Sequence, residues 1–131
     1  MAAAESYPDD LLYHPEHDWA RVDGDEAVLG ITWFAQDALG ELVHFEAPEA
    51  GVSVTKDEAY GEVESVKAVS DVVAPLSGEI LEVNARAIDE PELVNEDPYG
   101  EGWLVRIRVA DDGELAALLG ADAYRAVIAE Q

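Results

Sequence analysis

The sequence predicts a mainly β protein, a sandwich or barrel with one short internal helix and a helical tail. Three observations lead there. Short runs alternating apolar and polar residues recur between turn residues, at roughly the 8–12-residue spacing of all-β domains. In the clearest run, Leu104, Arg106 and Arg108 alternate with Val105, Ile107 and Val109. Helical spacing dominates only near the end, at Leu115, Leu118 and Leu119 and again at Tyr124, Val127 and Ile128. The 131 residues suit one domain, with residues 1–10 read as a flexible arm and 11–131 as a single folded unit.

In chain order, Asp18–Asp23 and Glu26–Ile31 read as a hairpin around the Asp23-Gly24-Asp25 turn. Thr32 is a plausible N-cap for a helix over Trp33–Leu39, which Gly40 ends. Glu41–Glu46 alternates as a strand does, and Pro48–Gly51 is a turn. Glu58–Glu64 and Val69–Ala74 are strands joined by Ser65-Val66-Lys67-Ala68. Pro75–Gly78 is a strong turn, Glu79–Asn84 a strand, and Pro91–Gly102 a long irregular stretch before the Trp103–Val109 strand. Asp111 and Glu114 resemble a capping box that opens a helix ended by Gly120, and a second helix begins at Asp122.

Charge excludes several functions. Thirty acidic residues face seven basic ones, for a net charge of −23. Phosphate-directed nucleic-acid binding needs a positive footprint, and anionic membranes repel such a chain. The longest apolar run, Leu115–Ala121, is far short of the ~20 residues of a membrane span. Cysteine is absent, which removes disulfides, zinc thiolates and thiol nucleophiles. The acidic start, with Glu5, Asp9 and Asp10, resembles neither a signal nor a transit peptide, so a cytoplasmic location is expected. Many acids and only two lysines fit adaptation to a salt-rich cytoplasm, where screening shortens the reach of self-repulsion.

Candidate chemistry narrows to one residue. His14-Pro15-Glu16-His17 sits in a loop context that does not put ligands on one helix face, so no metal site is expected. No nucleophile elbow or phosphate loop is visible. Lys67 lies midway between two strands, in a chain that prefers arginine to lysine by five to two. A lysine retained at a hairpin tip suggests that an amine, able to form an ordinary amide, is wanted there.

The surrounding residues resemble a known family. Gly61-Glu62-Val63-Glu64-Ser65-Val66-Lys67-Ala68-Val69-Ser70-Asp71 is similar to the lipoylation motif of the glycine cleavage system H-protein family. Ala74–Ile80, His17-Asp18-Trp19, Gly30-Ile31-Thr32, Ala35–Gly40 and Asn95–Trp103 continue the resemblance in the family's order. It implies a barrel-sandwich hybrid of the lipoyl/biotinyl-carrier type, one lipoyl carrier domain over 11–131, and lipoate in amide linkage on Lys67. It also implies a carrier that does no chemistry alone. Its arm takes the aminomethyl group of glycine from a pyridoxal-phosphate decarboxylase to a tetrahydrofolate-dependent aminomethyltransferase, and dihydrolipoyl dehydrogenase reoxidises it. Between visits the loaded arm is expected to shelter on the carrier's own surface.

Glu64, Ser65, Asp71 and Asp18 are the candidates for recognition by the lipoate-attaching enzyme or by the arm. Asp18 stands where the family commonly has Glu, Trp33 where an acidic residue is usual, and His44 where an aromatic is common. Trp33 is read as packing at a helix start. A 2-oxo acid dehydrogenase lipoyl domain would show Asp-Lys-Ala and linkers, and a biotin carrier would place Met on both sides of the lysine. A relay that donates lipoyl groups to other carriers, and a passive acidic interaction domain, remain as alternatives. A monomer is the default expectation.

Overall fold

The computed structural model describes residues 3–131. Its elements are β1 (Leu12–His14), β2 (Asp18–Asp23), β3 (Glu26–Ile31), α1 (Trp33–Leu39), β4 (Leu42–Glu46), β5 (Ser53–Val54), β6 (Ala59–Ser65), β7 (Val69–Val73), β8 (Gly78–Val83), α2 (Ala85–Asp89), α3 (Leu93–Glu96), β9 (Val105–Val109), a 3-10 turn (Asp112–Ala117) and α4 (Ala121–Ala129). The strands form two antiparallel sheets, ordered β1-β2-β3-β9-β8-β5 and β4-β6-β7. The sheets share one core that includes Leu29, Ile31, Phe45, Val63, Val72, Ile80, Leu104 and Ile107. This bears out the mainly β class that the sequence predicts, built here as two sheets.

Alternation decides which face each strand buries. On β9, Val105 and Ile107 enter the core, and Arg106 and Arg108 point outward. Arg106 reaches Glu26 of β3 at 2.7 Å and Glu82 of β8 at 3.2 Å, while Arg108 reaches Glu79 at 3.3 Å. Each such surface pair contributes little, ~0–1 kcal/mol. Together they seat the arginine-bearing strand between two acidic neighbours.

A second, aromatic cluster holds the two ends of the chain. Tyr7, Leu11, Tyr13, Trp19, Ala121 and Tyr124 are buried together, with Tyr13 stacked on Tyr124 at 4.8 Å. Gly30 makes room for Trp19, since a Cβ there would lie 2.5 Å from the indole ring. Residues 1–10, expected as a loose arm, divide: Met1 and Ala2 lie outside the described residues, and residues 3–10 pack on the body. Tyr7 is buried, Trp33 Nε1–H donates to the Ala3 carbonyl at 2.7 Å, and Tyr99 donates its hydroxyl to Ser6 O at 2.7 Å. The tyrosine ring supplies the apolar area that holds this segment down.

Several elements differ from the sequence expectation. β1 and β5 are too short to show a period. The irregular stretch before β9 contains α3, and α2 follows Asn84, whose side chain accepts from Arg86 N–H at 3.2 Å. The capping box is not formed. Asp111 caps Gly113 N–H at 2.9 Å, but Glu114 accepts from Ser77 N–H at 2.7 Å and from Ser77 Oγ–H at 3.0 Å. The helix expected up to Gly120 stops early because Leu119 pairs with Tyr13 through two backbone hydrogen bonds, of 2.7 and 2.8 Å.

Candidate functional site

Lys67 sits at the tip of the β6–β7 hairpin, exposed between Val66 and Ala68. Ser65, 4% exposed, organises the tip. Its Oγ accepts from Ala68 N–H at 3.1 Å and from Lys67 N–H at 3.3 Å, and its own N–H donates to Ala68 O at 2.8 Å. A tight turn with no Gly, Pro or Asn is therefore held by a serine hydroxyl in their place. The tip is rigid at its base and projects the lysine from it.

Lys67 differs electrostatically from the other cations. Arg21 donates to Tyr99 O, Lys56 pairs with Asp57, Arg86 with Glu101, Arg106 with Glu26, Arg108 with Glu79, and Arg125 with Asp122. Among the described lysines and arginines only Lys67 makes no side-chain hydrogen bond or ion pair. Its stem instead lies over Gly40, where a Cβ would meet Lys67 Cε at 3.6 Å. Gly40 ends α1 with φ +86°, which favours glycine. Buried Asn95 fixes this corner, donating to Gly40 O and Gln36 Oε1 at 2.9 Å each and accepting from Leu42 N–H at 2.9 Å.

α1 separates two clefts. Phe34, Ala35, Ala38 and Leu39 wall a cleft of about 170 Å3 that also meets Glu16, His17, Asp18, Val63, Ser70 and Asp71. On the other side of the helix, Asp37 and Glu41 line a cleft of about 360 Å3 with Glu92 and Glu96. The smaller cleft is lined by these apolar side chains together with the carboxyl groups of Glu16, Asp18 and Asp71.

Asp18 is the unusual carboxylate. It is 2% exposed, and its Oδ1 accepts one hydrogen bond, from Val73 N–H at 3.3 Å. Burial pushes its carboxyl well above the ordinary range, and the charge of Glu16 adds to the rise. His17 lies beside it at φ +77°, with Nδ1 2.7 Å from Tyr124 Oη and its ring 4.6 Å from Phe34. Burial lowers the His17 pKa, which favours the neutral imidazole.

The structure brings some predicted residues together and not others. Asp18 and Asp71 line the same cleft, while Ser65 and Lys67 form the tip. Glu64 is half-buried on β6, opposite His44 and Val69, and does not line that cleft. His14 Nε2 pairs with Asp57 at 2.7 Å, while His17 faces Tyr124 and Phe34. Trp33 is bound into packing, its backbone N–H donating to Tyr99 Oη at 2.9 Å. Sequence reasoning missed Tyr60, a residue buried at a bulge in β6 whose hydroxyl has no hydrogen-bond partner. Gly61 inside a strand was the available signal for the bulge that places it.

The family profile described as "Glycine cleavage H-protein" matches residues 11–131. The chain belongs to the glycine cleavage H-protein family. A probable glycine cleavage system H protein of Haloarcula marismortui is 55% identical over 118 residues, covering 90% of this chain and 93% of that protein. The glycine cleavage system H protein of Symbiobacterium thermophilum is 50% identical over 123 residues, covering 94% and 96%. The crystal structure of a glycine cleavage system H protein from Mycobacterium marinum superposes with a TM-score of 0.86 at 42% identity, covering 93% of this chain and 98% of that one. Membership makes this chain the lipoyl carrier component of glycine cleavage, working with the other components of that system. No described helix is long and apolar enough to cross a membrane.

Proposed function

We propose that Lys67 Nζ carries the lipoyl group and that the chain is a non-catalytic shuttle. The supporting observation is the unpaired, exposed lysine on a serine-braced hairpin. Amide formation abolishes the ammonium charge, and here no ion pair is broken by that loss. Lipoate, when bound, supplies a disulfide-containing ring that takes up the aminomethyl cargo of glycine.

The chain's own residues supply position and shelter. Ser65 keeps the tip from collapsing onto the sheet, and Asn95 and Gly40 give the lysine stem a fixed surface to leave from. Phe34, Ala38 and Leu39 exclude water along the cleft, and Asp18 and Asp71 offer carboxylates to a cationic cargo. Tethering keeps the cargo at high effective concentration at each partner in turn. The partners of this reading are the pyridoxal-phosphate decarboxylase, the aminomethyltransferase, dihydrolipoyl dehydrogenase and the lipoate-attaching enzyme. Each would meet a monomeric carrier in the cytoplasm.

The test is the mass of the Lys67 peptide from protein purified out of its native host. A lipoyl mass increment on Lys67 is expected. An unmodified lysine, in cells that lipoylate other proteins, would overturn the reading and favour a passive acidic interaction domain.

A further inference from the structure

Five large apolar side chains are exposed among the described residues: Val43, Val52, Val66, Val69 and Ile88. Apolar residues scattered singly over a surface are ordinary. Three of these five are grouped around Lys67. Val66 precedes the lysine in the turn, and Val69 follows it by two residues at the start of β7. Glu64 of β6 pairs with Val69 on one side and with His44 of β4 on the other. The β4 register slips between Leu42 and His44, which makes Val43 the extra residue beside that rung. Val43 also follows Gly40, which lies under the Lys67 stem, by three residues. Neighbouring strands are about 4.8 Å apart, so the rung from His44 to Val69 spans roughly 10 Å.

Strand propensity accounts for valine on β4 and β7. It does not account for Val66, which stands in a turn and at 82% is the most exposed of the five. The surround is acidic. Asp37, Glu41, Glu46, Glu62, Glu64 and Asp71 lie on or beside α1, β4, β6 and β7, and those elements and the β6–β7 turn carry no lysine or arginine except Lys67. An apolar patch with an acidic edge therefore encircles one amine.

The amine decides what covers the patch. To become an amide, Nζ gives a proton to solvent and attacks an activated lipoyl carbonyl. The leaving group departs with its electron pair, and the nitrogen sheds a second proton. The enzyme that supplies this carbonyl must enclose Nζ itself, so it presses on the side chains at the base of the lysine. Enzymes that act on the sulfurs meet the far end of the arm. We infer that Val43, Val66 and Val69 form the docking surface for the lipoate-attaching enzyme, whose mouth is apolar at the lip and basic around it. The inference rests on Lys67 as the lipoyl site, and the acidic surround supplies the complementary charge.

The test compares wild type with the triple variant Val43→Thr, Val66→Thr, Val69→Thr. Threonine keeps the β-branched shape, but its hydroxyl must lose water when the contact forms. The probe is a lipoate–protein ligase supplied with lipoate and ATP, and attachment is followed by mass. The KM for the carrier should rise about 10-fold, equivalent to about 1.4 kcal/mol, with kcat unchanged. Val66→Thr alone, in the turn, should raise it about 2-fold to 3-fold and keeps the test open if the triple variant fails to fold. Val52→Thr with Ile88→Thr, exposed elsewhere, is the control and should leave KM unaltered. Once lipoylated, the triple variant should show the wild-type KM in glycine-dependent carbon dioxide exchange with the decarboxylase. Added salt should raise the wild-type KM for attachment, because the edge is charged.

A wild-type KM for attachment in the triple and single valine variants overturns the inference. An equal rise in the control overturns it too, since any exposed apolar side chain would then serve. An equal rise in the exchange assay overturns the assignment to the attaching enzyme. A KM indifferent to salt overturns the basic surround of its mouth. Failure of the reading beneath is distinct: wild-type Lys67 would then gain no lipoyl mass at any carrier concentration.

Discussion

Replacing Asp18 by asparagine should make the carrier more stable at neutral pH while weakening its grip on cargo. The side chain is 2% exposed and receives one long hydrogen bond, from Val73 N–H. Asparagine has nearly the same volume and keeps an acceptor for that donor. What it removes is the requirement to hold a buried, under-bonded carboxylate. Because the folded pKa lies well above the ordinary 3.8, the native state binds more protons than the unfolded chain between those two values. Stability from this group is therefore full at pH below about 3.9 and is lost as pH rises through the folded pKa. An under-satisfied buried polar group costs about 1–3 kcal/mol, or roughly 4–10 °C in Tm for a chain of this size.

The assay is thermal unfolding of wild type and Asp18→Asn from pH 3.5 to 8, at fixed salt. The Tm difference should be near zero at pH 3.5, grow as Asp18 ionises, and level off above its folded pKa. Asp71→Asn removes one exposed charge from the same cleft and serves as the control, with an expected effect within ~0.5 kcal/mol. Equal Tm values for wild type and Asp18→Asn at pH 7.5 would refute the reasoning. So would an advantage that persists undiminished at pH 3.5.

Other outcomes follow from the same geometry. Lys67→Arg should abolish lipoylation, read by mass, and leave unfolding within ~0.5 kcal/mol of wild type, since the side chain is exposed and unpaired. Ser65→Ala removes the acceptor for Lys67 and Ala68 N–H, so it should cost about 1 kcal/mol and slow lipoate attachment measured against time. With a net charge of −23, Tm should climb by about 5 °C or more between low and molar salt. A flat Tm would remove the salt-adaptation reading and leave the carrier reading untouched.

How much was legible depended on whether the cause was local. The β2–β3 hairpin, α1 with its Thr32 cap, and the core face of β9 follow from residues close in sequence, so pattern and turn chemistry revealed them. Lys67 was legible because its motif is contiguous and because lysine is scarce in this chain. The end of the 3-10 turn was not, because the pairing of Leu119 with Tyr13 competes with helix continuation from the other end of the chain. Glu114 left its expected capping role for the same kind of reason, since the Ser77 N–H and hydroxyl claim it from a distant turn.

The sequence by itself determined the β class, the exclusion of phosphate-directed binding, the family resemblance and the amine at a hairpin tip. Each is a property of composition or of a short run of neighbours. The tertiary structure alone decided that Asp18 is buried, that α1 divides an apolar cleft from an acidic one, and that Tyr60, at a bulge in β6, is buried with its hydroxyl unpartnered. Burial and electrostatic coupling depend on which side chains meet across sheets. Thirty acidic residues look alike in a sequence, and only packing removes one of them from water.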